Sequence, residues 1–335
     1  MLAELTRQLI RKQDLALEEA EAALLCMVRN DTPDVAIASF LTALSIKGES
    51  AAEVAGVARG LRSLLCPVAC ERKPLLDTAG TGGGIETFNI STTAAFVIAG
   101  ADVVVAKHGN RAVTSRSGSA DVLEQLGINL EAATARVTEC LEEVGIGFLF
   151  APHFHPAMKR VAPIRRQLAH RTIFNMAGPL SNPAGASCHL IGVWEPKLTR
   201  ILAEAFALLD GERAWIVHSQ DGMDELSVLD QNWVSEAREG RSKSFKLDPS
   251  RFHLESMEGN LAGGDAAYNA AVTQGILNRE ILDIRRTVVV FNAAAGLALG
   301  LDISLEEGLD RARESVDSGR AYRRLRDLVQ MTSHA

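Results

Sequence analysis

The chain has 335 residues, a formal net charge of −7, 47% hydrophobic residues and 23% charged residues. That balance is ordinary for a soluble globular enzyme and argues against a general nucleic-acid surface, although a local basic pocket can sit on an acidic protein. The length suits one large domain plus a small one.

The five cysteines (Cys26, Cys66, Cys70, Cys140 and Cys188) are scattered and odd in number. They read as reduced thiols of a cytoplasmic protein, not as a disulfide framework. Cys66 and Cys70 lack zinc spacing and a second cysteine pair. No apolar run reaches membrane length, and the N-terminus carries Glu4 and Asp14 without an apolar core. Neither a membrane partner nor a signal peptide is expected.

Residues 1–66 read as a helical domain. Leu2, Leu5, Leu9 and Ile10 recur at helical spacing, and a second helix covers 18–28. Thr32-Pro33 is expected to cap a third helix carrying Val35, Ile37, Phe40, Leu41 and Leu44. Ser50-Ala51-Ala52-Glu53 has the form of a capping box opening a fourth. Helices without a catalytic constellation suggest packing or dimerisation. The stretch from Cys66-Pro67 to Lys73-Pro74 reads as the hinge.

From Leu75 the period changes. Strand-like runs are expected at 103–106, 147–150, 190–194, 214–218 and 287–291, with helical runs at 94–100, 120–126, 131–144 and 198–209 between most of them. This alternation predicts an α/β domain with a central, largely parallel sheet over 74–335. The polar run 235–246 reads as a solvated connection or edge hairpin.

Two anion-type loops stand within fifty residues. Leu75-Leu76 leads to Gly80-Thr81-Gly82-Gly83-Gly84 and then to Asn89, Ser91, Thr92 and Thr93. The run 103–106 leads to Lys107-His108-Gly109-Asn110-Arg111 and then to Thr114, Ser115, Ser117 and Ser119. Glycine permits close approach of the backbone, helix N-termini offer unpaired N–H groups, and Lys107 and Arg111 add charge. Either loop alone could be a tight turn with helix caps; both together point to phosphate. No lysine follows Gly84 as a Walker loop needs, and Ile85 stands where a dinucleotide fingerprint needs its third glycine.

Asp224-Glu225 supplies hard oxygen ligands suited to Mg²⁺, with an exposed acidic turn as the alternative. His153 and His155 lack a third metal ligand and read as helix caps. Arg165 and Arg166 are adjacent, so they project from different helix faces. No Ser–His–Asp or Cys–His arrangement appears.

Taken together the chain resembles the anthranilate phosphoribosyltransferase family. The resemblance is carried by Gly80-Thr81-Gly82-Gly83, by 87–92, by 107–113, by 117–124 and by 148–152. It continues through Pro163-Ile164-Arg165, 178–183, Gly222-Met223-Asp224-Glu225, Gly263-Gly264-Asp265-Ala266 and 317–321. It implies a helical domain over 1–66, joined by part of 165–185, a large α/β domain of the nucleoside phosphorylase/phosphoribosyltransferase type, and a homodimer formed through the helical domain. It also implies transfer of phosphoribose from phosphoribosyl pyrophosphate (PRPP) to the anthranilate amine, with Mg²⁺, in tryptophan biosynthesis.

On matching positions the resemblance assigns Gly80, Gly83, Gly84, Thr87, Asn89, Ser91, Thr92, Lys107 and Ser119 to PRPP. It assigns Gly80, His108, Asn110 and Arg165 to anthranilate, and Ser91, Asp224 and Glu225 to metal. Lys107 and His108 are the catalytic candidates, His108 as proton acceptor. One departure stands out: the family loop reads Gly-Thr-Gly-Gly-Asp-Gly, whereas here Gly84-Ile85 follows Gly83, one residue short and without the acid. Three other readings remain open: a nucleoside phosphorylase, a phosphoribosyltransferase for another aromatic amine, and an inactive nucleic-acid-binding relative.

Overall fold

The computed structural model describes residues 1–112 and 116–333. Val113, Thr114 and Ser115 of the second loop lie outside the described residues.

Helices α1 (Leu2–Ile10), α2 (Leu17–Met27), α3 (Asp34–Lys47) and α4 (Ala51–Leu64) come first. The capping box at α4 forms: the Glu53 amide donates to Ser50 Oγ at 3.3 Å, and the Ser50 amide donates to Glu53 Oε2 at 2.8 Å. The expected cap at Thr32 does not. Its hydroxyl donates backwards to the Cys26 carbonyl at 2.6 Å, and Pro33 precedes α3 with no side-chain cap. These helices share one apolar core with Val161, Ile164, Ile173 and Phe174 of the 161–177 segment. The same core continues through Leu202 and Phe206 to Ile191 and Ile216 on one face of the sheet.

Seven strands form the sheet: β1 (Leu75–Gly80), β2 (Val104–Gly109), β3 (Ile146–Phe150), β4 (Cys188–Gly192), β5 (Arg213–Ser219), β6 (Asn232–Arg238) and β7 (Arg241–Leu247). Their order is β3-β2-β1-β4-β5-β6-β7. Strands β1 to β5 pair in parallel, and β6 and β7 add an antiparallel edge hairpin, as the polar run foretold. Both faces of the first three strands are covered, so they are largely buried, with Asp77, Lys107 and His108 as the ionisable exceptions to their apolar sequences.

The second face carries the larger core, built around α5 (Ile90–Gly100) and the helix Ile284–Leu301. Phe88, Phe96 and Phe291 are almost fully buried there, each contributing about 1.5–3 kcal/mol by leaving water. The run 287–291 is therefore helix, not the strand its β-branched residues suggest. It lies inside a helix opened by Asp283, whose Oδ1 accepts from the Arg285 amide at 2.9 Å. A short apolar run reads alike in either state when every side is buried. This helix is also long and apolar enough to cross a membrane, against the sequence expectation, yet 78% of it is buried inside the protein.

Candidate active site

In the sheet order the chain steps from β1 through β2 to the edge strand β3 and then crosses back to β4 on the other side of β1, so the strand order reverses between β1 and β4. That topology opens a crevice beyond the carboxyl ends of the strands. A cleft of about 730 Å³ occupies it. Gly80, Gly83, Gly84, Thr87, Asn89, Ser91, Thr92, Lys107, His108, Asn110, Ser119, Arg165, Asp224 and Glu225 all line this cleft.

Both anion loops begin later than the sequence suggests. Gly80 is the last residue of β1, and Lys107-His108-Gly109 are the last three of β2. The Lys107 side chain therefore starts from within the sheet and is buried. Its ammonium donates to the Thr78 carbonyl at 2.5 Å and approaches Thr78 Oγ1 at 3.3 Å. Burial lowers its pKa, while the charges of Asp77 and Glu225 raise it.

Arg111 behaves differently from the sequence expectation of a free phosphate-gripping cation. Its guanidinium reaches over to α6 (Ser119–Gln125), donating to Glu124 at 2.8 and 3.0 Å and to Asp121 at 3.1 Å. Two carboxylates one turn apart on α6 hold it at the rim.

The acidic pair is not an exposed turn. Asp224 and Glu225 face the start of α5 and the glycine loop, where the Ser91 amide donates to Glu225 Oε1 at 3.2 Å. Burial and then the neighbouring Asp224 charge push the Glu225 carboxyl up to about 8. Burial also raises Asp224, against a hydrogen bond from the Gly84 amide. Two half-buried carboxyl groups kept side by side suit a divalent cation that retains waters and shares phosphate oxygens. Asp221, by contrast, braces its own turn, accepting from the Met223 amide at 3.2 Å. Thr92 Oγ1 is buried and has no hydrogen-bond partner among the described residues, an orphan that an oxygen-rich ligand would satisfy.

His108, next to Lys107, lies 5.0 Å from His155, ring centre to ring centre. His155 stands at the cap position between the short helices Ala151–Phe154 and Pro156–Lys159, as the sequence suggests, but its side chain makes no cap hydrogen bond and packs against His108 instead. Burial first, and then His155, hold His108 down to about 3, so it is neutral at pH 7. Its Nε2 has no partner among the described residues. Arg165 and Arg166 diverge as expected, Arg165 lining the cleft while Arg166 is exposed. Arg165 Nη2 donates to Asn175 Oδ1 at 3.3 Å, and the guanidinium lies 5.1 Å from the Phe174 ring.

Several residues escape a sequence reading. Asp77 is fully buried, accepts from the His108 amide at 3.1 Å and from Asn182 Nδ2 at 2.8 Å, and is pushed by burial up to about 6. An acid in an otherwise apolar strand is the available signal. Asn269 donates to Asn89 Oδ1 at 2.8 Å, and Arg171 reaches the Gly83 carbonyl at 3.2 Å. Neither has a local pattern; each arrives from a distant segment.

The helical bundle domain of the glycosyl transferase family matches residues 3–64, and the a/b domain of that family matches residues 72–322. Anthranilate phosphoribosyltransferase of Desulfatibacillum aliphaticivorans is 45% identical over 335 residues, 99% of each chain. That of Symbiobacterium thermophilum is 46% identical over 331 residues, covering 98% of this chain and 97% of its own. The chain belongs to the anthranilate phosphoribosyltransferase family. The crystal structure of anthranilate phosphoribosyltransferase from Thermus thermophilus superposes with a TM-score of 0.90 at 41% identity, covering 98% of this chain and 99% of that one. The Saccharomyces cerevisiae anthranilate phosphoribosyltransferase in complex with PRPP and Mg also gives 0.90, at 29% identity, covering 100% and 98%.

Against the anthranilate phosphoribosyltransferase loop pattern, the shorter loop closes directly onto the carboxylates. The Ile85 amide donates to the Gly222 carbonyl at 3.2 Å, and a Cβ on Gly84 would stand 2.5 Å from Asp224 Oδ1. Gly82 and Gly83 adopt φ of 68° and 97°, backbone that glycine takes without strain. Glu86, two residues after Gly84, is exposed and lines the cleft.

Proposed function

We propose that this protein transfers the phosphoribosyl group of PRPP to the amine of anthranilate, giving N-(5-phosphoribosyl)anthranilate and pyrophosphate, in tryptophan biosynthesis. One observation carries the reading: a single cleft is lined by a glycine loop, a half-buried carboxylate pair, an arginine and a neutral histidine. The first two suit a diphosphate with its metal, and the last two suit an aromatic acid.

Gly80, Gly83, Gly84, Thr87, Asn89, Ser91, Thr92, Lys107 and Ser119 would hold PRPP through backbone amides, hydroxyls and one ammonium. Ser91, Asp224 and Glu225 fit Mg²⁺, which when bound would offset the negative charge growing on the leaving diphosphate. Lys107 adds fixed positive charge on the same side. Arg165 would pair with the anthranilate carboxylate, with Gly80 and Asn110 beside the ring and His108 close to the amine. Holding the amine against the anomeric carbon supplies the proximity that the reaction needs. The aryl amine is neutral at pH 7, so no strong base is required to create the nucleophile. As C–N bond formation makes the nitrogen acidic, the unpaired Nε2 of neutral His108 can take the proton.

We further read residues 1–66 with part of 165–185 as one helical domain and 74–335 as the α/β domain. The protein would act as a cytoplasmic homodimer through the helical domain, in keeping with its five free thiols and the exposed Val35 and Ile46 of α3.

The test follows anthranilate fluorescence after mixing enzyme, PRPP and Mg²⁺, with each omitted in turn. Loss of signal that requires both is the expected result. No turnover with PRPP bound would point to another aromatic amine, and absence of both would overturn the reading in favour of an inactive relative.

A further inference from the structure

Arg171 is a cation of the cleft wall that the assignments above leave unused. It stands between the helices Ala162–Leu168 and Phe174–Ala177, in a segment where Ile173 and Phe174 are buried in the core shared with α1 to α4. Ser45 of α3 donates to its carbonyl at 3.4 Å. From this anchored backbone the side chain crosses to the glycine loop. Nη2 donates to the Gly83 carbonyl at 3.2 Å, and a Cβ on Gly83 would stand 1.7 Å from that nitrogen. The guanidinium rests 4.6 Å from the Trp194 ring, an aromatic shelf that orders a flat cation.

Of the other basic groups that line the cleft, the two on the strand β2 side of the second loop are committed elsewhere, whereas Arg116 and Lys159 stand farther along the lining. The Lys107 ammonium is tied to Thr78, and Arg111 to Glu124 and Asp121. Arg171 forms no salt bridge with a carboxylate among the described residues, and its side chain's one hydrogen bond there is to a neutral carbonyl. A diphosphate oxygen is a far better acceptor for a guanidinium fork than a peptide carbonyl.

We propose that Arg171 is a PRPP-binding residue of this protein, held on Trp194 and against Gly83 so that its guanidinium grips the diphosphate. The inference rests on the phosphoribosyl-transfer reading. It assigns the leaving-group end of the cleft a cation delivered from the helical side of the molecule. PRPP binding then draws the glycine loop and the 161–177 segment together through one side chain.

The test compares wild type, Arg171→Ala and Arg171→Lys. PRPP affinity is measured by calorimetry with Mg²⁺ and no acceptor, and KM is measured for each substrate. Arg171→Ala should raise the PRPP Kd and KM by about tenfold or more, with the anthranilate KM held within about twofold. Arg171→Lys should fall between, because an ammonium keeps the charge but loses the fork. A PRPP Kd unchanged in Arg171→Ala overturns the proposal. So does an equal rise of both KM values in the two variants, which would mean that the arginine only props the loop. If Arg171→Ala fails to fold, Arg171→Lys decides alone: a PRPP Kd equal to wild type overturns the proposal and a rise of about threefold supports it. Wild-type enzyme without turnover would sink the phosphoribosyl-transfer reading itself, a failure distinct from any outcome in the variants.

Discussion

At the scale of single residues, the cleft is defined by how burial treats charge. Arg165 is half-buried, and burial lowers its pKa, with Asn175 and Phe174 beside it and no carboxylate paired to it among the described residues. Such a guanidinium gains strongly from an arriving carboxylate. Arg165→Ala should therefore raise the anthranilate KM by about tenfold or more and leave the PRPP Kd in place; loss of PRPP binding would instead move Arg165 out of the acceptor pocket.

His189 makes a separate point about the sheet interior. Its Nε2 lies 2.9 Å from the Ala186 carbonyl, Nδ1 has no partner among the described residues, and burial holds the ring down to about 4. A histidine whose folded pKa lies below its unfolded value of about 6.5 stabilises the fold above that pH. That contribution is lost as pH falls from about 6.5 towards 4, because only the unfolded chain takes up the proton. The stability gap between wild type and His189→Gln should narrow on going from about pH 7 to about pH 5, by at most about 1.4 kcal/mol per pH unit. Urea titrations at the two values measure it, and a pH-independent gap would contradict the assignment.

At the scale of elements, local signals work where chemistry and spacing coincide within one turn. The box at Ser50 and Glu53 forms as its four-residue pattern requires. Glu53 does more than the pattern shows: it is fully buried, accepts from the Leu15 amide at 2.9 Å and pairs with Lys47 at 2.9 Å. Ser50→Ala should cost about 1 kcal/mol, the usual loss of a cap. Glu53→Ala should cost clearly more in the same urea experiment, because it strands the Leu15 and Ser50 amides and leaves the buried Lys47 ammonium with Asp14 as its one carboxylate partner among the described residues. Equal costs would mean that the tertiary contacts carry no weight. The helix Ile284–Leu301 reads in part as strand because β-branched residues suggest one, and a helix buried on all sides has no amphipathic period to correct the impression. Strand β2 runs on through Lys107, His108 and Gly109, which look like loop residues until the fold is seen to tuck the lysine inward.

At the scale of the whole molecule, the helical side supplies Arg165 and Arg171 and the α/β side supplies the glycine loop and the carboxylates, so the cleft is a joint product of two parts of the chain. The outer surface of the helical side exposes Val35 at 76%, Ile46 at 70% and Ile10 at 66%, a set of apolar side chains suited to a second copy of the chain. Sedimentation of wild type should report a dimer, and the double variant Val35→Lys, Ile46→Lys should shift it towards monomer. A monomeric wild type, or a variant that still dimerises fully, would rule out this face.

Sequence alone determined the class of the fold and the capping box, and it pointed to the two loops and the acidic pair, since each depends on residue types at fixed short spacing. It also exposed the missing loop acid at Gly84, which is a matter of counting residues. Tertiary structure decided what those groups do with their charge. It withdrew Arg111 to Glu124 and Asp121, buried Lys107 against Thr78, set His155 against His108 and brought Arg171 to Gly83 from 88 residues away. The physical reason is that desolvation and hydrogen-bond partners, which govern charge and affinity, are set by neighbours in space, and no spacing along the chain encodes them.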